Sequence, residues 1–266
     1  MPSEISYEVD DPVAVITLRR PDALNALTYP MLAELREAVT SAEADTRVVG
    51  IVVTGEGRGF CSGLDASVLQ QTATTGSSGR QDTGKETPGL FTWLLSVGKP
   101  IIAAQNGVAA GGGFVLAAMA DLRFASTDAW FTTVFSKRGL IAEHGMTWIL
   151  PRIVGSGRAL DLLWSSRKVD AEEGYRMGFF DRVVAPDELL PAAMQYVRDL
   201  AEQVSPASLQ DTKRLVYRHL GMGYDEALRE ADLATWAAMD RIDAKEGAMA
   251  LLERRPAQFP RVGEQQ

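Results

Sequence analysis

Cysteine occurs once in this chain of 266 residues, at Cys61, and histidine twice, at His144 and His219. One cysteine excludes an intrachain disulfide and a Cys-rich zinc site. Two histidines without an H-E-x-x-H pattern build no histidine metal site, so no structural metal is expected. A single thiol fits a reducing cytoplasm. Positive charge is scarce as well: 27 Lys plus Arg face 35 Asp plus Glu, a net charge of −8, which argues against coating nucleic acid or anionic lipid. The N-terminal segment MPSEISYEVDDP holds acids and no apolar core, unlike a signal or transit peptide. One charge-free stretch, the 21 residues between Lys99 and Asp121, has the length of a membrane span. It contains Gln105, Asn106 and Gly111-Gly112-Gly113, and glycine costs a helix interior about 1 kcal/mol per residue relative to alanine. It reads better as a buried strand over Ile101–Gln105, a glycine bend, and a helix from about Gly112 to Ala120.

What is present is an ordinary globular composition, 46% hydrophobic and 23% charged, with enough chain for one large domain or for a domain and an appendage. Val13–Leu18 (VAVITL) and Val48–Thr54 (VVGIVVT) are β-branched runs of strand length. Between them Thr28 is the expected N-cap of a helix with Pro30 in its first turn and Met31, Leu32, Leu35, Ala38, Val39 and Ala42 on one face. Ser67 to Gly89 is rich in Ser, Thr, Gly and Gln and is expected to be a surface loop or partly helical flap. Beyond Gly145 the chain reads as helical, with helices expected over Pro186–Val204, Pro206–Leu220, Tyr224–Met239 and Arg241–Arg255. An α/β core is placed at about 1–200 and a helical C-terminal part at 201–266.

Two glycine-bearing turns follow β-branched strands: Gly57 to Asp65 after VVGIVVT, and Asn106 to Gly113 after IIAAQ. Such turns expose backbone N–H groups to a ligand, and a helix that starts just afterwards adds its positive dipole end. Neither matches G-x-G-x-x-G or a P-loop, and Ser62 is not in a G-x-S-x-G elbow, so by themselves the turns are equally well read as tight bends.

The sequence resembles the crotonase superfamily, the enoyl-CoA hydratase/isomerase family, over roughly residues 7 to 260. The motifs that carry the resemblance are Arg20-Pro21-Asp22-Ala23-Leu24-Asn25-Ala26-Leu27, Phe60-Cys61-Ser62-Gly63-Leu64-Asp65, Lys99-Pro100, Asn106-Gly107 to Gly113, and Leu252-Glu253-Arg254-Arg255-Pro256. The resemblance implies a spiral of ββα units with C-terminal helices that pack a homotrimer or a dimer of trimers. It also implies an acyl-CoA substrate, of which coenzyme A is part, whose thioester oxygen is held by the N–H groups of Leu64 and Gly112. A preorganised donor of this kind is typically worth about 2.7–4 kcal/mol. By the same match Ala23, Leu24, Ala26, Ser62, Gly63, Asp65 and Arg254 fall in regions that contact substrate or tie the loops that do.

The family's hydratases carry two glutamates, at positions matched here by Val115 and by a residue near Phe135. Both acids are absent, so hydration by a pair of carboxylates has no groups to run it. By itself Glu143, in Gly139 to Gly145, reads as an exposed cap before a helix, but the resemblance implies it as the replacement, at a position where dienoyl-CoA isomerases and some dehalogenases of the family carry an aspartate. Phe114, Phe131, Phe135 and Trp148 are its expected apolar walls, and such walls would raise its pKa. His144 could tune it, orient water, or cap the next helix. The expected activity is a one-base enoyl-CoA isomerisation. The alternatives are acyl-CoA hydrolysis or carbon–carbon cleavage with Glu143, an atypical hydration, or acyl-CoA binding without catalysis.

Overall fold

The computed structural model describes residues 3–68, 70 and 89–263. The chain opens with an antiparallel pair, β1 (Ile5–Asp10) and β2 (Val13–Leu18), and β2 pairs in parallel with β3 (Gly50–Gly55) across the helix α1 (Tyr29–Ala44). The Thr28 hydroxyl accepts the Met31 N–H at 3.1 Å, so the expected N-cap starts α1 where the sequence places it. Met31, Leu35, Ala38, Val39 and Ala42 are its buried face.

Two sheets then grow together. After β3, β4 (Gly59–Cys61) leaves the first sheet; β5 (Ile101–Gln105) returns to it and β6 (Val108–Ala110) leaves again; β7 (Leu122–Ser126) and β8 (Trp130–Thr132) repeat the pattern. With β9 (Val169–Asp170) and β10 (Arg182–Val184), this gives a six-stranded sheet of order β1-β2-β3-β5-β7-β10 and a four-stranded sheet of order β4-β6-β8-β9. The alternation is the spiral of a mixed α/β fold that the resemblance implies. Side chains two apart share a face of a strand. In β3, Ile51 and Val53 therefore enter the main core while Val52 enters a second cluster with Ile102, Phe124, Leu189 and Val197. All six residues of β3 are buried, which is why the segment reads as an unbroken apolar run.

The charge-free stretch resolves into β5, β6 and a fully buried helix, α2 (Gly112–Ala118), two residues shorter than expected. No helix among the described residues is long and apolar enough to cross a membrane. Five helices fill the outer layers before the C-terminal pair: α3 (Met146–Val154), α4 (Ser156–Ser165), α5 (Ala171–Arg176), α6 (Leu189–Gln203) and α7 (Pro206–His219). The last two are α8 (Tyr224–Met239) and α9 (Ile242–Glu253). The expected helical half is thus correct to within a few residues at each end, and α6 covers the second cluster through Leu189, Ala193 and Val197. Apart from residues at its edges, the expected loop from Ser67 to Gly89 lies outside the described residues.

Among the described glycines, the closest approach is between α2 and β4. A Cβ on Gly113 would sit 2.0 Å from the Cys61 carbonyl oxygen, whereas one on Gly157 in α4 meets nothing within 4 Å. Gly113→Ala is therefore expected to destabilise by about 3 kcal/mol or more. Gly157→Ala should instead stabilise by roughly 0.5–1 kcal/mol. Urea midpoints of the two variants against the parent protein check both signs.

Candidate active site

The segment between β2 and α1 and the turn after β4 are laced to one another. Leu24 and Asn25 are left-handed, at φ 51° and 55°, and asparagine tolerates that region better than most residues. Asn25 is fully buried. Its Oδ1 accepts the Arg20 N–H at 2.8 Å, and its Nδ2 donates to the carbonyls of Glu56 at 3.0 Å and Gly59 at 2.7 Å. Arg20 extends the clamp: Nη1 donates to the Ala26 carbonyl at 2.6 Å and to Asp65 Oδ2 at 2.9 Å. Ser62 closes it, donating from Oγ to the Ala23 carbonyl at 3.1 Å and from its N–H to the Leu24 carbonyl at 2.9 Å. The sequence motif marks these residues, but the parts of Asn25 and Arg20 as scaffold were missed; the one local signal was an amide side chain amid the apolar run Ala23 to Leu27.

This lacing aims two peptide N–H groups. In a trans peptide the N–H points opposite to the carbonyl of the preceding residue. The Gly63 carbonyl accepts the Leu27 N–H at 2.7 Å, so the Leu64 N–H faces away from Leu27. The Gly111 carbonyl accepts the Val115 N–H at 3.0 Å as α2 begins, so the Gly112 N–H points out of the start of the helix. The two turns touch: at Gly63, φ +96°, a Cβ would lie 2.7 Å from the Ala110 carbonyl oxygen and 3.3 Å from Gly112 N. Only glycine meets both the backbone angle and the spacing there.

Leu64, Gly111 and Gly112 line a cavity of about 220 Å³ together with Leu90, the segment Val134, Phe135, Arg138 and Leu140, and the pair Glu143 and His144. Glu143, His144 and Leu90 also line an adjoining recess of about 600 Å³. The two amides and the candidate carboxylate, 79 residues apart in the chain at Leu64 and Glu143, are brought to one cavity. The Glu143 side chain is part-exposed and its carboxylate has no hydrogen-bond or ion-pair partner among the described residues. Its main chain is anchored, the carbonyl accepting the Met146 N–H at 3.0 Å ahead of α3. His144, left-handed at φ 54°, accepts the Leu90 N–H on Nδ1 at 3.3 Å. Val134, at φ 56°, is a β-branched residue in a region such residues rarely occupy, and it packs beside Gly111.

Three of the expected aromatic walls are elsewhere. Phe114 and Phe131 stack on each other and on Phe179 in the core, with ring centroids 5.2 Å and 4.4–5.2 Å apart. Phe114 is on a helix buried on all sides and Phe131 on the inward side of β8, so neither reaches the cavity. Trp148 lies on the exposed side of α3 under the Arg152 guanidinium, 4.0 Å from its ring. Phe135 does line the cavity and is buried. Val115 is fully buried. Ala23, Leu24, Ala26, Ser62, Gly63 and Asp65 sit in the scaffold behind Leu64 rather than on the cavity wall, and Arg254 is an exposed residue just beyond α9. Burial pushes the Cys61 thiol up to about 12, in keeping with a packing residue and not a nucleophile.

Comparison with known proteins gives a consistent set of relatives. The model of the enoyl-CoA hydratase/isomerase family matches residues 8–262. A crotonyl-CoA hydratase of Syntrophomonas wolfei is 33% identical over 257 residues, 96% of this chain and 97% of the relative. A 1,2-epoxyphenylacetyl-CoA isomerase of Escherichia coli is 36% identical over 203 residues, 75% of this chain and 76% of the relative. The crystal structure of an enoyl-CoA hydratase from Mycobacterium tuberculosis superposes with a TM-score of 0.86 at 29% identity, covering 97% of this chain and 98% of that one.

The lacing has a pH signature. Hydrogen bonds from the Ser67 hydroxyl and N–H, then from Arg20, hold the Asp65 carboxyl down at about 2. A carboxyl depressed in the folded state stabilises above its unfolded pKa near 3.9 and loses that contribution as pH falls through about 2. Asp65→Asn is accordingly expected to be less stable than the parent at about pH 7 and to converge with it as the pH approaches about 2. Denaturant midpoints across that range test the sign.

Proposed function

This chain belongs to the enoyl-CoA hydratase/isomerase family and is an acyl-CoA-processing enzyme of that family, and from that premise we propose that it moves a double bond along an enoyl-CoA chain with Glu143 as its one proton carrier. The observation that carries the reading is that Glu143 shares a cavity with the Leu64 and Gly112 amides, while the positions matched to the hydratase glutamates hold buried Val115 and Phe135. The 1,2-epoxyphenylacetyl-CoA isomerase among the relatives supports an isomerase with this framework.

The chemistry needs one base and one oxyanion site. The thioester oxygen sits between the Leu64 and Gly112 N–H groups. Glu143 takes a proton from the α-carbon of a 3-enoyl thioester, the C–H electron pair delocalises into a dienolate, and the negative charge gathers on that oxygen. The same carboxyl then returns its proton to the γ-carbon, leaving the 2-enoyl thioester, so atoms and charge balance without water or cofactor. Coenzyme A enters as part of the substrate. Each amide donor is worth about 2.7–4 kcal/mol at such an oxyanion. His144, fixed through Nδ1 on the Leu90 N–H, orients the Glu143 segment.

In this reading residues 1–200 form the catalytic core and 201–266 an assembly region of a cytoplasmic homotrimer or dimer of trimers. Support comes from α8, which buries none of its residues and leaves Leu233 70% and Trp236 62% exposed. Apolar surface of this extent marks an interaction face.

Glu143→Gln should lower 3-enoyl- to 2-enoyl-CoA isomerisation by about 10²–10⁴-fold, the span of general acid–base catalysis, with acyl-CoA binding retained. Equal rates in the two proteins would overturn the assignment. Sedimentation should give a mass of three or six chains, and Leu233→Glu with Trp236→Glu should reduce it; a monomeric parent protein would contradict the assembly reading.

A further inference from the structure

Arg138 lines the cavity that holds Glu143 and has no hydrogen-bond or ion-pair partner among the described residues. It ends a short 3-10 turn, Ser136–Arg138, whose form is held by the Arg138 N–H on the Phe135 carbonyl at 2.9 Å, the Leu140 N–H on the same carbonyl at 3.1 Å, and the Ser136 hydroxyl on the Leu163 carbonyl at 2.5 Å. Arg20, Arg123, Arg167 and Arg255 pair with carboxylates; Arg58, Arg229 and Arg254, like Arg138, have no carboxylate partner among the described residues, but none of them lines this cavity. The Arg138 guanidinium has no hydrogen-bond or ion-pair partner among the described residues, although acids outnumber bases in the chain, 35 to 27. Its neighbours on the wall are Leu64, Val134, Phe135 and Leu140, all apolar, and Glu143 is the other charged side chain there.

Arg138 is exposed at the edge of the cavity, and an alkyl chain seated beside it would cover part of the guanidinium while giving it no partner. A carboxylate compensates, and the planar fork of arginine can meet it with two parallel hydrogen bonds. Glu143 repels a second carboxylate, so the anion belongs at the end of the acyl chain away from the reacting carbons. Resting on the acyl-CoA reading above, we propose that Arg138 selects acyl-CoA substrates whose acyl chain ends in a carboxylate, the monothioesters of dicarboxylic acids.

Binding of saturated esters tests this apart from turnover. Adipoyl-CoA and hexanoyl-CoA have the same chain length and differ in the terminal carboxylate. Calorimetric titration should show adipoyl-CoA binding about tenfold or more tighter, the scale of a hydrogen bond to a charged group. Arg138→Met should bring the ratio of the two affinities close to one. Arg138→Lys should restore part of it, since an ammonium supplies charge without the fork. Lys137→Met, next in sequence and off the cavity wall, should keep the ratio. Equal affinities in the parent protein overturn the proposal, as does an Arg138→Met variant that weakens both esters alike, which would assign the guanidinium to the coenzyme A portion. If neither ester binds, the acyl-CoA reading falls with it; if the preference appears but Glu143→Gln leaves isomerisation unchanged, the isomerase reading alone falls.

Discussion

The close contact of two backbone turns governs this molecule. Gly63 and Gly112 approach so nearly that a single methyl group on Gly63 would strike the Ala110 carbonyl, and Gly113 is pressed as tightly on Cys61. The spiral of paired sheets exists, in functional terms, to bring those turns together: β4 and β6 pair in parallel and deliver the ends of two successive strands to one place. Asn25, buried and with both ends of its amide used, ties the segment before α1 to the chain leading into β4, and Ser62 ties that segment to the turn that follows β4. Rigidity of this kind is what an oxyanion site requires, because donors that are fixed in advance need no reorganisation when charge develops.

Around that fixed pair the chain places groups that differ in how tightly they are held. The amides are backbone, laced from several sides. Glu143 and Arg138 are side chains on the segment between β8 and α3, a stretch with left-handed residues at Val134, Gly139, His144 and Gly145. On the proposed reading, reaction type and substrate choice are therefore set by this one segment while the amides stay in place. The net charge of −8 fits the same division. A negative net charge works against broad polyanion binding, yet on the proposed reading a few arginines and N–H groups suffice locally for an anionic thioester.

Much of this was legible in the sequence because the signals are local. The strand Val13–Leu18 and the Thr28 cap are placed by β-branching and by a hydroxyl before Pro30, and both agree with the structure residue for residue. The two glycine turns stand out by composition. The strands β4, β6, β8, β9 and β10 were not legible, since each is two or three residues long and owes its existence to pairing with distant neighbours; β1 and β7, six and five residues long, were not assigned from the sequence either. The same holds for the walls of the cavity. Phe114 and Phe131 look like pocket aromatics by position, but the burial of α2 and the facing of β8 send them into the core. Arg138 carries no sequence signal at all: an arginine in Phe135 to Leu140 acquires meaning only when its turn is seen to face Glu143 across one cavity.

The central claim is geometric, that one bound thioester is held by two amides and worked on by one carboxylate. A crystal structure with a saturated acyl-CoA tests it most directly. The account predicts the thioester oxygen at about 2.7–3.1 Å from both Leu64 N and Gly112 N. It also predicts the Glu143 carboxylate within about 3–3.5 Å of the α-carbon. A thioester oxygen hydrogen-bonded elsewhere, or a Glu143 carboxylate turned away from the acyl chain, would contradict it.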